Sequence, residues 1–352
     1  MRSGSQVTLV ITTFDRPGYL EECLASVGRQ TLAGFRLVVL DNASAADYSG
    51  VLDRFSGVPV DYVRNETNIG GAGNFGKAMG CYSDSKYLIV FHDDDMMHPR
   101  MLEWELGVLE SDPEIQFVST EYVAFDDGDA PPRTIWENVS LEIDVYNNQS
   151  DLARSLLGSG GLCFGSTMYR SSVLKRIKPD NERFGIIGDR PYLLDAARLG
   201  KSALIRAPLV LYRHHPGQDT KTGPLTAQNL IELMKEYRAA LPSDWSHADQ
   251  RLFYGHARDY LTRYGYARLA PDERIGAITF VRRSIQNKVL RVRDVRPGGL
   301  AIMLRADGKR ALPSAIDAVR AVTRRFFPRL RRAAGDPISS SDERGQARHP
   351  EE

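Results

Sequence analysis

Three consecutive carboxylates, Asp93, Asp94 and Asp95, are the most chemically distinctive segment of this sequence. They follow the apolar run Tyr87–Phe91, which predicts a buried strand. Adjacent carboxylates repel one another, so keeping them together at a strand end requires a cation or hydrogen-bond donors. Oxygen ligands of this kind suit Mg²⁺ or Mn²⁺, which usually bridge substrate phosphates. The alternative is a solvated turn before a helix that starts near Pro99.

Polar side chains also end two other predicted strands. Val7–Thr12 is apolar and β-branched and is followed by Thr13 and Asp15, and Arg36–Leu40 ends at Asp41. In an open α/β sheet, ligands bind beyond the carboxyl ends of the strands. We therefore expect these polar groups to meet the acidic triplet in one crevice, where Asp41 can accept hydrogen bonds from a nucleoside. The alternative for Asp41 is that it starts a turn.

The order of elements indicates the fold class. Strands alternate with helical segments, which predicts an α/β fold with a mostly parallel sheet flanked by helices. Further strands are predicted at Val60–Arg64, Ile115–Thr120, Phe164–Tyr169 and Leu204–Leu211. Residues 122–160 are polar and irregular, and residues 226–287 have the pattern of helices. We predict a sheet domain at 1–225, a helical C-terminal region at 226–334 and a disordered tail at 335–352.

A glycine-rich segment, Gly71–Gly76, fits the G-x-G-x-x-G fingerprint of dinucleotide-binding proteins. It does not follow its strand directly, and two strand–helix units precede it, so the pattern disfavours a dehydrogenase. We expect instead that these glycines let the backbone approach a nucleotide, before a helix at Lys77–Ser83. Tight helix packing is the alternative.

Together, these motifs resemble the inverting family 2 glycosyltransferases, which have the Rossmann-like GT-A fold. The order and spacing of the motifs match over residues 7–110, and the similarity reappears near 185–215. It rests on Val7–Thr13, Phe14–Pro17, Ser26–Thr31, Asp41 with Asn42, Asn68–Asn74 and the acidic triplet. The resemblance implies transfer of a sugar from a nucleoside-diphosphate donor to an acceptor hydroxyl, and a helical appendage after the sheet.

The resemblance also implies roles for individual residues. Asp41 would contact the base and Asp93 the ribose, while Asp94 or Asp95 would ligate Mg²⁺ or Mn²⁺. A loop after the last predicted strand adds His214 and His215 as candidate metal ligands. The complete set implied for the nucleotide sugar is Thr12, Thr13, Asp15, Asp41, Asn42, Asn68, Gly71, Asn74, Asp93 and Asp94.

The candidate general base lies in the second half of the chain. Gly188–Tyr192 resembles the acceptor-site motif of the family and opens a predicted helix. Asp189 would take the proton of the acceptor hydroxyl as its oxygen attacks the anomeric carbon. Asp195 is the second candidate. The alternative is that Asp189 only caps its helix.

The expected donor is a UDP-, dTDP- or GDP-sugar, and the expected acceptor is a glycan, a lipid-linked compound or a small molecule. The product would belong to a polysaccharide, a cell-surface glycan or a natural-product glycoside. One alternative is a sugar nucleotidyltransferase of similar fold, although its usual basic, glycine-rich phosphate loop is missing at Thr12–Gly18. The other is a non-catalytic module that binds nucleotide sugars.

Charge is distributed unevenly along the chain. Residues 281–334 contain 15 Arg or Lys and 3 Asp or Glu, and the rest is acidic overall, which argues against nucleic-acid binding. Within this stretch, Arg320–Arg332 interleaves arginines with apolar residues and predicts peripheral contact with an anionic membrane, or else a solvated helix on the body. Three scattered cysteines indicate a reducing compartment, so we predict a cytoplasmic protein.

Overall fold

A computed structural model describes residues 6–81, 85–158, 162–218, 223, 225–269 and 275–307. Its strands form one sheet in the order β3-β2-β1-β4-β8-β6-β9-β5, and β7 also pairs with β9. The strands are β1 Val7–Thr13, β2 Arg36–Asp41, β3 Val60–Arg64, β4 Tyr87–His92, β5 Met96–Met97, β6 Ile115–Asp126, β7 Ile143–Tyr146, β8 Met168–Arg170 and β9 Lys201–His214.

The first half of the sheet is parallel and aligns the three polar strand ends. β1 pairs in parallel with β2 and with β4, so that Thr13 lies opposite Asp41 and Thr12 opposite His92. β1 and β4 are almost entirely buried, as expected for parallel strands covered on both faces. The polar residues after β1, β2 and β4 therefore meet at one edge of the sheet.

The second half of the sheet is mixed. β8 is antiparallel to both β4 and β6, and β5 and β7 are antiparallel to β9. β6 and β9 pair in parallel over most of their length. The α/β sheet flanked by helices is thus confirmed, but its parallel character is limited to β1–β4 and to the β6–β9 pair. Because Met96 pairs with Leu211, β5 ties the end of β9 to the acidic triplet.

Helices cover both faces of the sheet. One core joins Val10 and Val38 of the sheet to Leu230, Phe253 and Phe280 of the C-terminal helices. The helices are α1 Pro17–Val27, α2 Ser49–Arg54, α3 Gly70–Ala78, α4 Met101–Ser111, α5 Gln149–Leu157, α6 Ser171–Leu174, α7 Asn181–Phe184, α8 Asp189–Ala196, α9 Ala227–Ala240, α10 His247–Asp259, α11 Tyr266–Arg268, α12 Ala277–Gln286 and α13 Pro297–Ala306.

Short 3₁₀ turns and one π-helical turn complete the described elements. The 3₁₀ turns span Arg133–Trp136, Phe164–Ser166, Gly185–Ile187 and Val292–Asp294, and the π turn, Tyr260–Gly265, joins α10 to α11. No helix among the described residues is long and apolar enough to cross a membrane. The boundary at residue 225 stays a prediction, and the segments 320–332 and 335–352 lie outside the described residues.

Three local predictions were wrong. Residues 122–160 are not simply irregular, because they include the end of β6, all of β7 and α5. Only Met168 and Tyr169 of the strand predicted at Phe164–Tyr169 are extended, as the start of β8. The glycine-rich segment is itself helical, since α3 begins at Gly70 and ends at Ala78 rather than starting at Lys77.

Candidate active site

The carboxylates that follow β4 are buried, and separate segments hold them. Asp93 accepts a hydrogen bond from Thr13 Oγ1 at 2.6 Å, and Asp95 accepts the backbone N–H of Arg213 at 2.9 Å. Burial, with the charge of Asp94 added, raises the pKa of Asp93 to about 7 and that of Asp95 well above its usual range. Both carboxylates therefore lack enough positive charge around them, which is the electrostatic setting that a divalent cation would relieve.

Asp94 is held by a histidine and an arginine, and Arg16 lies closer to it than to Asp93. Asp94 Oδ2 lies 2.8 Å from His215 Nε2 and 3.2 Å from Arg16 Nη1. Burial acts to raise the pKa of Asp94, but the hydrogen bond from His215 and the charges of His92 and Arg16 outweigh it, so that the pKa is lowered. Asp94 is therefore the carboxylate of the triplet that is most readily ionised.

Three side chains at the end of β4 fit a divalent cation. His92, Asp94 and Asp95 each offer a ligand atom, and these atoms lie within 4.8 Å of one another. Opposite ligands around Mg²⁺ are roughly 4 Å apart, so small side-chain adjustments would complete this set. His92 was not predicted as a ligand from the sequence, although its place at the end of β4 is a signal that could have identified it.

The nucleoside side of the crevice is built around Asp41, which is completely buried. Its Oδ1 accepts the backbone N–H of Ser44 at 3.0 Å, and its Oδ2 accepts the Tyr62 hydroxyl at 2.7 Å. Burial, and then this hydrogen bond to Asp41, raise the pKa of Tyr62 to about 12. Asp41 therefore already holds protein donors, and a base that reached Oδ2 would compete with the Tyr62 hydroxyl for this oxygen.

Asp15 shapes the same crevice through its contacts with the backbone. It adopts a left-handed conformation, with φ of 52°, which is uncommon for a residue with a side chain. Its Oδ1 accepts the backbone N–H groups of Ala45 and Ala46 at 2.6 and 3.0 Å. Asp15 therefore holds the loop after β2 in place. Thr12, which lies opposite His92, is half-buried at the crevice.

An asparagine network attaches α3 to the end of the sheet. Asn42 donates to Asn68 Oδ1 at 2.8 Å and accepts from Asn65 Nδ2 at 2.9 Å, and Asn65 also donates to Asn74 Oδ1 at 3.0 Å. Asn68 in turn accepts the backbone N–H of Gly70, whose φ of 75° suits glycine. The network explains why the helix starts within the glycines, and it leaves Gly71 exposed in the first turn.

Asp189 is the first residue of α8, directly after Gly188. No side chain caps this helix, so the capping role considered for Asp189 is not what the structure shows. Within the described residues, no hydrogen bond or ion pair involves its half-buried carboxylate. Asn181, shortly before it, donates to the carbonyl of Ala72 in the first turn of α3 at 3.4 Å, which places this segment beside the crevice. Asp195 instead lies 3.5 Å from Arg198 at the surface.

Comparison with known proteins identifies the domain. Residues 8–178 match the family model described as glycosyl transferase family 2. The chain contains a family 2 glycosyltransferase domain. Among curated relatives, an uncharacterized glycosyltransferase of Haemophilus influenzae is 29% identical over 113 residues, which cover 32% of this chain and 37% of the relative.

Two further relatives extend the similarity at lower identity. An uncharacterized glycosyltransferase of Methanocaldococcus jannaschii is 25% identical over 50% of this chain and 59% of its own length. The abequosyltransferase RfbV of Salmonella typhimurium is 27% identical over 56% of this chain and 57% of its own. The chain therefore spans between about a third and three fifths of the length of these three relatives.

The fold is shared with a solved structure. The crystal structure of S. aureus TarS 1-349 in complex with UDP-GlcNAc superposes with a TM-score of 0.58 at 14% sequence identity. The match covers 91% of this chain and 90% of that one. The GT-A fold predicted from the sequence is thereby confirmed.

The paired histidines at the end of β9 point in different directions. His215 reaches Asp94, whereas the His214 ring packs 5.5 Å from that of Tyr212 and 3.5 Å from the Asp126 carboxylate, half-exposed. Successive side chains of an extended chain point in opposite directions, which explains the divergence. His214 thus faces Asp126 and not the acidic triplet, and the metal roles of His214 and His215 stay predictions.

Arg213, which directly precedes the two histidines, is a further residue of the candidate site. It is buried, and its guanidinium donates to the Asp94 carbonyl at 3.1 Å, to Glu22 at 2.7 Å and to Asp127 at 3.1 Å. The same group lies 4.7 Å from the centre of the Tyr19 ring. It thus fixes the end of β9 against the acidic triplet, through partners far away in sequence.

Proposed function

We propose that this chain transfers a sugar from a nucleoside-diphosphate sugar to an acceptor hydroxyl, with inversion at the anomeric carbon and with Mg²⁺ or Mn²⁺ as cofactor. The observation that carries the proposal is the buried acidic triplet at the carboxyl ends of the parallel strands, where His92, Asp94 and Asp95 offer ligand atoms within 4.8 Å of one another. The Asp189 carboxylate, which has no hydrogen bond or ion pair among the described residues, supports a base in the second half of the domain. A general base and a cation site that can bind the diphosphate are the two groups that such a reaction needs.

The donor would lie along the crevice from Asp41 to the acidic triplet. The complex of TarS with UDP-GlcNAc supports a nucleotide sugar as donor, and UDP-, dTDP- and GDP-sugars all remain candidates. The name of the Salmonella relative denotes a sugar transferase, which supports the same reaction class here and an acceptor that is a glycan, a lipid-linked compound or a small molecule.

The proposed reaction proceeds by direct displacement. Asp189 accepts the proton of the acceptor hydroxyl while the oxygen attacks the anomeric carbon from the side opposite the diphosphate. The bond from that carbon to the diphosphate oxygen breaks, and the nucleoside diphosphate leaves. His92, Asp94 and Asp95 would hold the metal ion, which when bound offsets negative charge on the departing diphosphate. The His215 ring, 2.8 Å from Asp94 Oδ2, orients Asp94 within this set.

Replacement of the base tests the mechanism. In Asp189→Asn we expect nucleoside-diphosphate binding in the presence of Mn²⁺ to be retained, and sugar transfer to fall about 10²–10⁴-fold. Asp195→Asn is the matched control, because this carboxylate pairs with Arg198 at the surface. Transfer at the wild-type rate in Asp189→Asn would remove Asp189 from the mechanism.

The products distinguish the alternatives. Release of nucleoside diphosphate from the donor supports the proposed transfer, whereas release of pyrophosphate would indicate a nucleotidyltransferase. Binding of nucleotide sugars with no turnover would indicate a non-catalytic module. A thermal-shift screen of UDP, dTDP and GDP, each with and without Mn²⁺, identifies the base of the donor.

The proposed location is the cytoplasm, with peripheral contact between Arg320–Arg332 and an anionic membrane. The basic and apolar composition of this stretch supports the contact. Co-sedimentation of the full chain with phosphatidylglycerol vesicles should be lost when the arginines of this stretch are replaced by glutamine. Equal sedimentation of both proteins would contradict membrane contact.

A further inference from the structure

A cavity of about 480 Å³ lies between the end of α5 and the C-terminal helices, and none of its lining residues has a role in the mechanism described above. Its volume is in the range of small-molecule binding sites. Leu157 and Gly158, at the end of α5, form one wall. The other wall is one side of α10 and of the π turn that follows it, and includes Arg251, Gly255, His256, Tyr260 and Tyr264.

The second wall carries a row of aromatic rings. His256, Tyr260 and Tyr264 are four residues apart along the helix, so they lie on one side of it. The His256 and Tyr260 rings are stacked, with centres 5.8 Å apart and planes inclined by 12°. Tyr264 is 64% exposed although it is a large aromatic residue. Tyr260 and Tyr264 both belong to the π turn, a distortion that is frequent at functional sites.

The polar groups of the wall suit hydroxyl groups better than a phosphate. His256 Nδ1 lies 3.0 Å from the Leu157 carbonyl and must donate to it, which makes Nε2 an acceptor. In the part of the chain that the structure describes, this buried Nε2 has no hydrogen-bond partner. Arg258 is neutralised by Asp259 at 2.6 Å, so the wall offers mixed donors and acceptors rather than a group of free cations.

Hydrogen bonds connect the cavity to the candidate base. Arg190, the neighbour of Asp189, donates to the Leu156 carbonyl at 3.4 Å. His256 donates to the next carbonyl, that of Leu157. Arg190, beside the base, and His256, in the cavity wall, thus bind consecutive carbonyls at the end of α5. An acceptor that extends from Asp189 along this end of α5 would therefore enter the cavity.

We propose that this cavity binds a sugar ring of the acceptor, which makes the acceptor a saccharide or a saccharide-bearing compound. The C–H face of the sugar would pack on Tyr260 and Tyr264, while its hydroxyls would interact with His256 and Arg251. This inference rests on the proposed function, because it assigns the acceptor of that reaction.

Two variants test the cavity without disturbing the donor site. A Cβ atom added at Gly255 meets no atom within 4 Å, so Gly255→Leu fills the cavity instead of colliding with the protein. Tyr264→Ala removes the exposed ring. Gly107→Leu is the matched control, because Gly107 is also a helical glycine whose added Cβ meets nothing within 4 Å, and it lies on α4.

The measurement is saturation-transfer NMR of the full chain with the methyl glycosides of glucose, galactose, mannose and N-acetylglucosamine. We expect at least one glycoside to bind the wild type and Gly107→Leu, and to bind Gly255→Leu and Tyr264→Ala about tenfold more weakly, as for the loss of one good packing contact. If no glycoside binds the wild type, or if both cavity variants bind as well as it does, the inference is overturned.

Binding at the donor site is measured separately in the wild type and in the same three variants. UDP, dTDP and GDP with Mn²⁺ are expected to raise the melting temperature equally in all of them, for whichever nucleotide the wild type binds. If none of the three shifts the wild type, the proposed function fails, while the NMR result still decides whether the cavity binds a sugar. If a nucleotide raises the melting temperature but no glycoside binds, only the inference about the cavity is overturned.

Discussion

Arg16 forms an ion pair with Asp94 in the middle of the acidic triplet, with Nη1 3.2 Å from Oδ2. The same Nη1 lies 3.5 Å from Asp93 Oδ1, and Nη2 donates to the Gly217 carbonyl at 2.5 Å. Arg16 thus supplies a positive charge to carboxylates beside the candidate metal ligands, and about a quarter of its side chain is exposed. It occupies one oxygen of a carboxylate that the metal ion would also use.

Removal of this arginine should strengthen metal binding. In Arg16→Gln, Asp94 loses a competing cation, so we expect Mn²⁺ affinity to rise about three- to tenfold, a modest effect because the guanidinium is partly solvated. Titration calorimetry with Mn²⁺ measures the change. Arg100→Gln, which removes an arginine paired at the surface with Glu103, is the control. Unchanged or weaker affinity in Arg16→Gln would show that Arg16 supports the metal site instead of competing with the ion.

Replacing a candidate metal ligand should weaken nucleotide binding much more than replacing His214. We expect His92→Ala, Asp94→Asn and Asp95→Asn each to weaken Mn²⁺-dependent binding of nucleoside diphosphate by roughly 10–100-fold, the usual cost of perturbing a metal site. His214→Ala should bind as the wild type does, because its ring faces Asp126 and solvent. A loss in His214→Ala as large as in His92→Ala would support His214 as a ligand and refute the arrangement described above.

Burial of Glu105 should make the free energy of unfolding fall as the pH rises. Glu105 is fully buried on α4, neither carboxylate oxygen has a hydrogen-bond partner within the described ranges, and burial raises its pKa well above the usual range. In the unfolded chain it titrates near pH ~4.3. Above that pH the unfolded state gives up a proton that the folded state still holds, so the free energy of unfolding decreases until the pH passes the folded pKa.

Replacement by glutamine should remove this dependence. We expect Glu105→Gln to be close to the wild type in stability at pH 4 and more stable at pH 7, by on the order of 1–3 kcal/mol. Urea unfolding at both pH values provides the measurement. Glu110→Gln on the same helix is the control, because that exposed carboxylate pairs with Lys86 and its pKa is lowered. A constant difference between Glu105→Gln and the wild type at both pH values would contradict the prediction.

The sequence predicted the parts of the site that depend on neighbouring strands. Polar residues after β1, β2 and β4 were expected to meet because the carboxyl ends of parallel strands share an edge, and the register of Thr13 with Asp41 confirms this. Contacts between distant segments could not be predicted. Arg213 donates to Glu22, 191 residues away, and the pairing of β5 with β9 helps to hold the end of β9 beside the acidic triplet.

Side-chain direction was the other limit of prediction. The sequence shows His214 and His215 as an equivalent pair, but the extended end of β9 turns one toward Asp94 and the other toward solvent. The helical start of the glycine segment likewise depends on hydrogen bonds from Asn42 and Asn65, which β2 and the end of β3 contribute. Local composition indicates neither outcome, because each is decided by tertiary packing.

The hydroxyl of Tyr62 should limit access of a base to Asp41. It donates to Asp41 Oδ2 at 2.7 Å, and Arg64 Nη1 lies 3.5 Å from the same oxygen. In Tyr62→Phe the ring stays and the competing donor is lost, so we expect the nucleoside diphosphate that binds the wild type to bind about three- to tenfold more tightly, and the free protein to lose about 1 kcal/mol of stability.

Asp41→Asn provides the opposing measurement, because it replaces one acceptor oxygen with a donor and should weaken nucleotide binding. Tyr122→Phe, another partly exposed tyrosine on β6, is the control for removing a hydroxyl. Calorimetric titration of all three variants with the same nucleotide and Mn²⁺ separates the two roles. If Tyr62→Phe binds more weakly than the wild type, the hydroxyl contacts the nucleotide itself, and Asp41 serves only to hold Tyr62 and the loop at Ser44.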